Sequence, residues 1–228
     1  MQQMIELTLY KAVLAMPFTL GLIAKKSAAA RTLTYRTSQA FTTAATSFTI
    51  TGAALGTASA DRLVVVIVGN TNSTNISGCT LGGVAMTLVT TPTGNNKNYI
   101  FYLLSTSGTT ADVVASTGGS TTRAVIGVYT ILLGTTSSTP SNFSTTNIAS
   151  GATSVSRTVT VPAGGVYIVG AISSASSVIN WTSNVTENYE LSSGTSAGGA
   201  GANGSTTGSV TVTASGTSGG WGMSIAVW

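Results

Sequence analysis

The chain has no histidine, and only 6% of its 228 residues are charged, against about 25% in an average soluble domain. Without histidine it lacks the commonest general acid/base and the commonest metal ligand. Five Asp and Glu residues are too few to build a catalytic carboxylate pair or a calcium cage with ease. No catalytic residue, metal ligand or cofactor is expected, and the composition argues against an enzyme. The single cysteine, Cys79, excludes an internal disulfide. Its neighbours Ser77, Gly78 and Thr80 include no cation to lower the thiol pKa, so it reads as a buried, inert thiol. No apolar run reaches the roughly 20 residues that a membrane-spanning helix needs, and no membrane partner is expected.

What the chain does have is hydroxyls, glycine and a moderate apolar content. Ser and Thr make up roughly a third of it, Gly contributes 27 residues, and 43% of residues are hydrophobic. That apolar fraction separates it from disordered Ser/Gly-rich chains, which cannot bury enough surface to offset ordering entropy. Charge is unevenly placed. Residues 1–36 carry Lys11, Lys25, Lys26, Arg31 and Arg36 against Glu6, a net +4, while residues 37–228 are neutral.

The N-terminal segment, residues 1–40, reads as an arm. Its apolar stretch Ala12–Ala24 superficially resembles a secretory signal, but Glu6 sits in the leader, and Lys25 and Lys26 separate the stretch from the small residues after it. Ile5, Leu7 and Leu9 alternate with polar residues, a strand-like period, and Pro17 interrupts any helix. The expected assembly residues are Ile5, Leu7, Leu9, Lys11, Phe18, Leu20, Leu22, Lys25, Lys26 and Arg31, docking on neighbouring chains.

Residues 41–228 read as all-β. Short Val/Ile/Thr/Tyr-rich runs alternate with Gly/Ser/Asn/Thr clusters, the pattern of a sandwich or barrel. Leu63–Val68, Asn98–Leu104 and Ala124–Tyr129 are apolar enough to be buried on both faces. The last strand places Trp221, Met223, Ile225 and Val227 on the core face and Trp228 on the other. A faint internal repeat relates residues 44–134 to 154–228, with Gly134–Thr153 as a polar connector. Interleaving the halves into two facing sheets gives a jelly-roll-like β-sandwich.

Several motifs are set aside. Gly199–Gly204 matches G-x-G-x-x-G but leads into a strand with no later acid. Glu187 and Glu190 read as a solvated loop pair, three apart and so on opposite faces of any strand. Lys97, in the polar loop 94–98, is the only lysine of the body; a nucleophilic role for it needs a desolvated amine, and the loop reads against one. Asp61-Arg62 marks a turn. Six N-x-S/T sequons decide nothing in a chain so rich in Ser and Thr.

Arg157–Ala171, Asn180–Glu190 and Gly220–Trp228, with Asp61–Val68 and Arg123–Tyr129 in the first half, resemble a β-sandwich family of tailed-bacteriophage virion proteins and bacterial surface proteins. The resemblance implies a structural or adhesive role without catalytic residues. The expectation is a head decoration (cement) protein on the virion head surface. It would be a homo-oligomer, with a trimer favoured, and would bind the major capsid protein. The alternatives are a tail-associated or surface adhesin and the shell-forming coat protein itself. In the adhesin, carbohydrate would sit on a loop holding Asn180, Trp181, Glu187 and Tyr189. No specific nucleic acid partner is expected for a neutral body.

Overall fold

A computed structural model describes residues 30–71, 74–121, 123–134, 137–175, 178–182, 184–192, 196–202 and 207–228. The described residues form strands and turns, with no helix among them. The first half contains β1 (Thr32–Phe41), β2 (Ala45–Ala54), β3 (Arg62–Asn70), β4 (Ile76–Leu81), β5 (Val84–Ala85), β6 (Thr87–Leu88), β7 (Lys97–Leu104), β8 (Thr110–Thr121) and β9 (Ala124–Leu132). The second contains β10 (Asn142–Val161), β11 (Tyr167–Ser173), β12 (Asn180–Trp181), β13 (Thr186–Ser192), β14 (Ser196–Ala202) and β15 (Gly208–Val227). The all-β sandwich expectation holds, and all the strand pairings are antiparallel.

The halves do not interleave as the sequence pattern led us to expect. Each pairs its strands only within itself. In the first half, a sheet ordered β1-β9-β3-β7-β6 packs on a sheet ordered β2-β8-β4-β5. Phe48, Ile50, Val64, Val66, Val68, Phe101, Val113 and Val128 fill the space between them. The second half reaches the same arrangement with one sheet, ordered β10-β15-β11-β14-β13, with β12 also on β15. Its two 20-residue strands, β10 and β15, shift register around Ile148–Ser154 and fold the sheet onto itself. Val155, Val159 and Val212 from one arm of that fold then share a core with Val169, Trp221 and Met223 from the other.

The repeat is therefore real but longer than the sequence suggested. β1 against β9 corresponds to Asn142–Ile148 against Trp221–Val227, and β2 against β8 to Ser154–Val161 against Gly208–Ser215. β3 lies between β9 and β7 as β11 lies between β15 and β14. The segment expected to be a connector, 134–153, contains the first part of β10 from Asn142 on, and Thr32–Phe41, expected within the arm, is a full sheet strand. Arg36, counted with the basic arm, donates from Nε to Thr130 Oγ1 at 2.7 Å.

The two sandwiches stack through their continuously apolar sheets. β3 lies over β11, β7 over β15 and β1 over β13. Strand order thus runs oppositely in the two sheets. Yet β3 and β11 run in the same direction, with Ile67 packed at Gly170 and Ile172 at Gly69. That is the relation of a two-fold axis along the strands. Between the sheets lie Leu63, Val65, Ile67, Val125, Ile131, Ile168, Ile172 and Trp228. Strands β3, β9 and β11 are consequently buried on both faces, which explains their unbroken apolar runs. Glycine makes the approach possible. A Cβ at Gly199 would collide with the Tyr189 ring, and one at Gly222 with the Asn96 carbonyl oxygen.

Candidate functional site

The residues of the expected carbohydrate loop fall on two strands that meet at Gly198. Asn180 and Trp181 form β12, paired with Ser215 and Ala214, whereas Glu187 and Tyr189 lie on β13. Asn180 is exposed and lines a shallow groove of about 710 Å³ with Thr153, Ser154, Val178, Thr213 and Thr217. Trp181 is half-buried against the second-half core. Tyr189 is buried in the seam between sandwiches, where its ring stacks on Tyr35 at 5.9 Å and tilts against Tyr129 at 6.4 Å. It is a packing residue, not a sugar platform. Trp228, expected opposite the core, is also fully buried. Its strand has a core on each side, and its indole Nε1 donates to Ser138 O at 2.8 Å.

Glu187 and Glu190 belong to a strand and not to a loop. Register slips between Glu187 and Tyr189, which upsets the simple alternation that would part the two carboxylates. Glu190 Oε1 accepts from the Ile179 amide at 2.9 Å. Partial desolvation, and then the charge of Glu190, raise the Glu187 carboxyl above its ordinary value.

Polar groups missed by the sequence reading are buried in the first sandwich. Arg62 is fully buried and donates only to backbone carbonyls. Asp61 does mark a turn: it accepts from Ser59 Oγ, and from the Gly134 amide at 2.8 Å. Lys97, expected in an open loop, is the first residue of β7 and is 5% exposed. Its Nζ donates to Asn75 Oδ1 at 2.6 Å, and the Tyr99 hydroxyl donates to the same oxygen at 3.3 Å. Ser224 Oγ reaches across the seam to the Asn98 carbonyl, and Asn147 Nδ2 donates to Asn96 O at 2.7 Å.

Cys79 is buried as expected, and burial pushes its thiol up to about 12. Burial likewise raises the phenols of Tyr129 and Tyr189. These groups must stay protonated in the fold but ionise freely once unfolded. Stability is therefore expected to be level below the ordinary thiol value of 9.0 and to fall as pH rises above it. Urea midpoints measured from about pH 7 to 11 check this, and a midpoint unchanged up to pH 11 would contradict it.

Among the described residues, exposed large apolar side chains are few, and most gather at one end. Leu132 is 42% exposed and pairs with Thr32, where the described chain starts into β1. Leu104 is 45% exposed and pairs with Leu63. Val84, 57% exposed, and Leu104 line a groove of about 370 Å³ that also includes Leu55, Leu81 and Leu103. In the second sandwich Phe143 is 50% exposed beside Asn142, which pairs with Val227. Because Tyr102 meets Trp228 edge-on at 6.1 Å, this is the same end of the stack. Arg31 stands here, half-buried, with its guanidinium pKa lowered by partial desolvation. The other expected arm residues, from Ile5 through Lys26, lie outside the described residues. Among the described residues no cluster of His, Cys, Asp and Glu is able to hold a metal ion. Compared with protein-family models, curated proteins and solved structures, the chain matches none.

Proposed function

We propose that this chain is a structural protein of a tailed-phage virion, a decoration or cement protein that fastens to the head and stabilises it. The observation that carries the reading is the apolar end. Leu104, Leu132, Val84 and Phe143 stand exposed where the chain comes in from the apolar, basic residues 1–29. Exposed apolar groups gathered at one end mark a contact surface, and the adjoining segment supplies more apolar surface to bury with it. Partners are further copies of this chain, with a trimer favoured, and the major capsid protein. Each copy bound only to the assembled lattice adds stability to it by mass action. The neutral Ser/Thr exterior allows copies to sit side by side with little charge repulsion.

The test is to add purified protein to heads lacking it. Co-sedimentation and raised resistance to heat or chelation are expected, with deletion of residues 1–29 abolishing both. Heads that neither bind nor gain resistance sink the proposal. The 710 Å³ groove beside Asn180 favours a second reading, an adhesin that holds carbohydrate through Asn, Ser and Thr groups. A glycan array without signal above background would count against it.

A further inference from the structure

Lys97 and Asn75 sit on two different layers of the first sandwich. Lys97 opens β7, paired with Asn70 in the seam-side sheet, and Asn75 immediately precedes β4 in the outer sheet. Lys97 is held within β7, and the Asn75 backbone is held by the Gly118 amide, which donates to its carbonyl at 3.1 Å, so the side chains meet without further ordering. Lys97 Nζ lies 2.6 Å from Asn75 Oδ1. Such fixed placement is what converts a slow bimolecular encounter into an effectively unimolecular one. The Tyr99 hydroxyl also points at this oxygen, 3.3 Å away.

We propose that Lys97 and Asn75 join in a self-formed isopeptide bond that ties the two layers of the first sandwich together. The neutral Lys97 amine adds its lone pair to Asn75 Cγ, and the negative charge that develops on Oδ1 is stabilised by the Tyr99 O–H. One proton passes from Nζ to the amide nitrogen of Asn75. The Cγ–Nδ2 bond then breaks, and ammonia leaves as the Cγ–Nζ amide forms. Nothing is oxidised or reduced, and no co-reactant is consumed. The two sides of the site suit these roles. Lys97 is 5% exposed, so its ammonium form is disfavoured by burial, which lowers its pKa. Asn75 is exposed, which gives the ammonia a way out.

Intact-mass spectrometry of the purified full chain, before and after incubation at about pH 9, tests the bond. The expected product is about 17 Da lighter than the sequence, the mass of one ammonia. Trypsin should then fail to cut after Lys97 and release Leu63–Arg123 as one species lacking that mass. Lys97→Arg should keep the full mass. Tyr99→Phe, which leaves the ring in place, should slow formation about tenfold. A full-mass protein cut normally at Lys97 after incubation overturns the proposal. So does a mass loss that persists in Lys97→Arg, which would come from asparagine cyclising on its own backbone.

Discussion

Replacing Arg62 with methionine is expected to destabilise the protein by about 3–5 kcal/mol, visible as a lower urea midpoint. The guanidinium is fully buried at the start of β3, where its donors meet carbonyls from two loops. Nε donates to Ser105 O at 2.9 Å, and Nη1 to Gly56 O at 2.9 Å, Thr57 O at 3.1 Å and Leu55 O at 3.4 Å. Nη2 donates to Ser107 O at 2.6 Å and Gly108 O at 2.9 Å. Methionine fills much of the volume but donates nothing, so these carbonyls lose their partner in a buried setting. Loops 55–57 and 105–108, whose carbonyls this side chain gathers, should loosen first. Lysine keeps the charge but has three donors against five in a planar fork. Arg62→Lys should therefore fall between wild type and Arg62→Met. A loss below about 1 kcal/mol for methionine would mean that the loops satisfy their carbonyls without the arginine.

Trp221→Ala is expected to cost a similar amount, about 3–5 kcal/mol, for a different reason. Trp221 is fully buried where β15 re-forms after its bend, and Nε1 donates to Ala152 O at 3.0 Å. The ring packs in the core that both arms of the folded sheet share. Truncation would leave a large cavity at that corner and an unpartnered carbonyl on the facing strand. Urea unfolding followed by far-UV circular dichroism measures the loss. Trp181→Ala is the control: that ring is half-buried and its Nε1 has no hydrogen-bond partner. It should cost clearly less, and equal losses would contradict the assignment of Trp221 as the corner's anchor.

The strands were readable where burial is two-sided. Leu63–Val68 and Ala124–Tyr129 carry apolar residues at consecutive positions because each face meets a different core. The same fact misled the reading of Trp228. Alternation along β15 implies one core face and one outer face, while Ala226 and Trp228 pack in the seam and Val227 in the second-half core. Arg31 and Arg36 read locally as part of a basic tail, while Thr32–Phe41 is a strand of the first sandwich. Arg36 instead rests on Thr130 of the neighbouring strand, a partner 94 residues away that no local pattern reveals. Distance in sequence also hid Arg62, whose acceptors include residues 105–108, and Lys97, whose partner Asn75 precedes it by 22 residues. Of the expected site, Asn180 stayed exposed on a groove, while Tyr189 turned inward because Gly127 and Gly199 leave a slot for its ring.

The two sandwiches become complete at different times as the chain is made. All strand pairings of the first close by residue 132, whereas those of the second need β15, which ends at Val227. During synthesis the first sandwich must therefore wait with Leu63, Val65, Ile67, Val125 and Ile131 uncovered. That face is shaped to receive its two-fold counterpart, so while it waits a neighbouring nascent chain offers it much the same surface as its own second half does. Chains ended early, between residues 132 and 228, should accumulate as paired first halves or as aggregates, and the yield of intact protein should depend on how quickly the second half emerges.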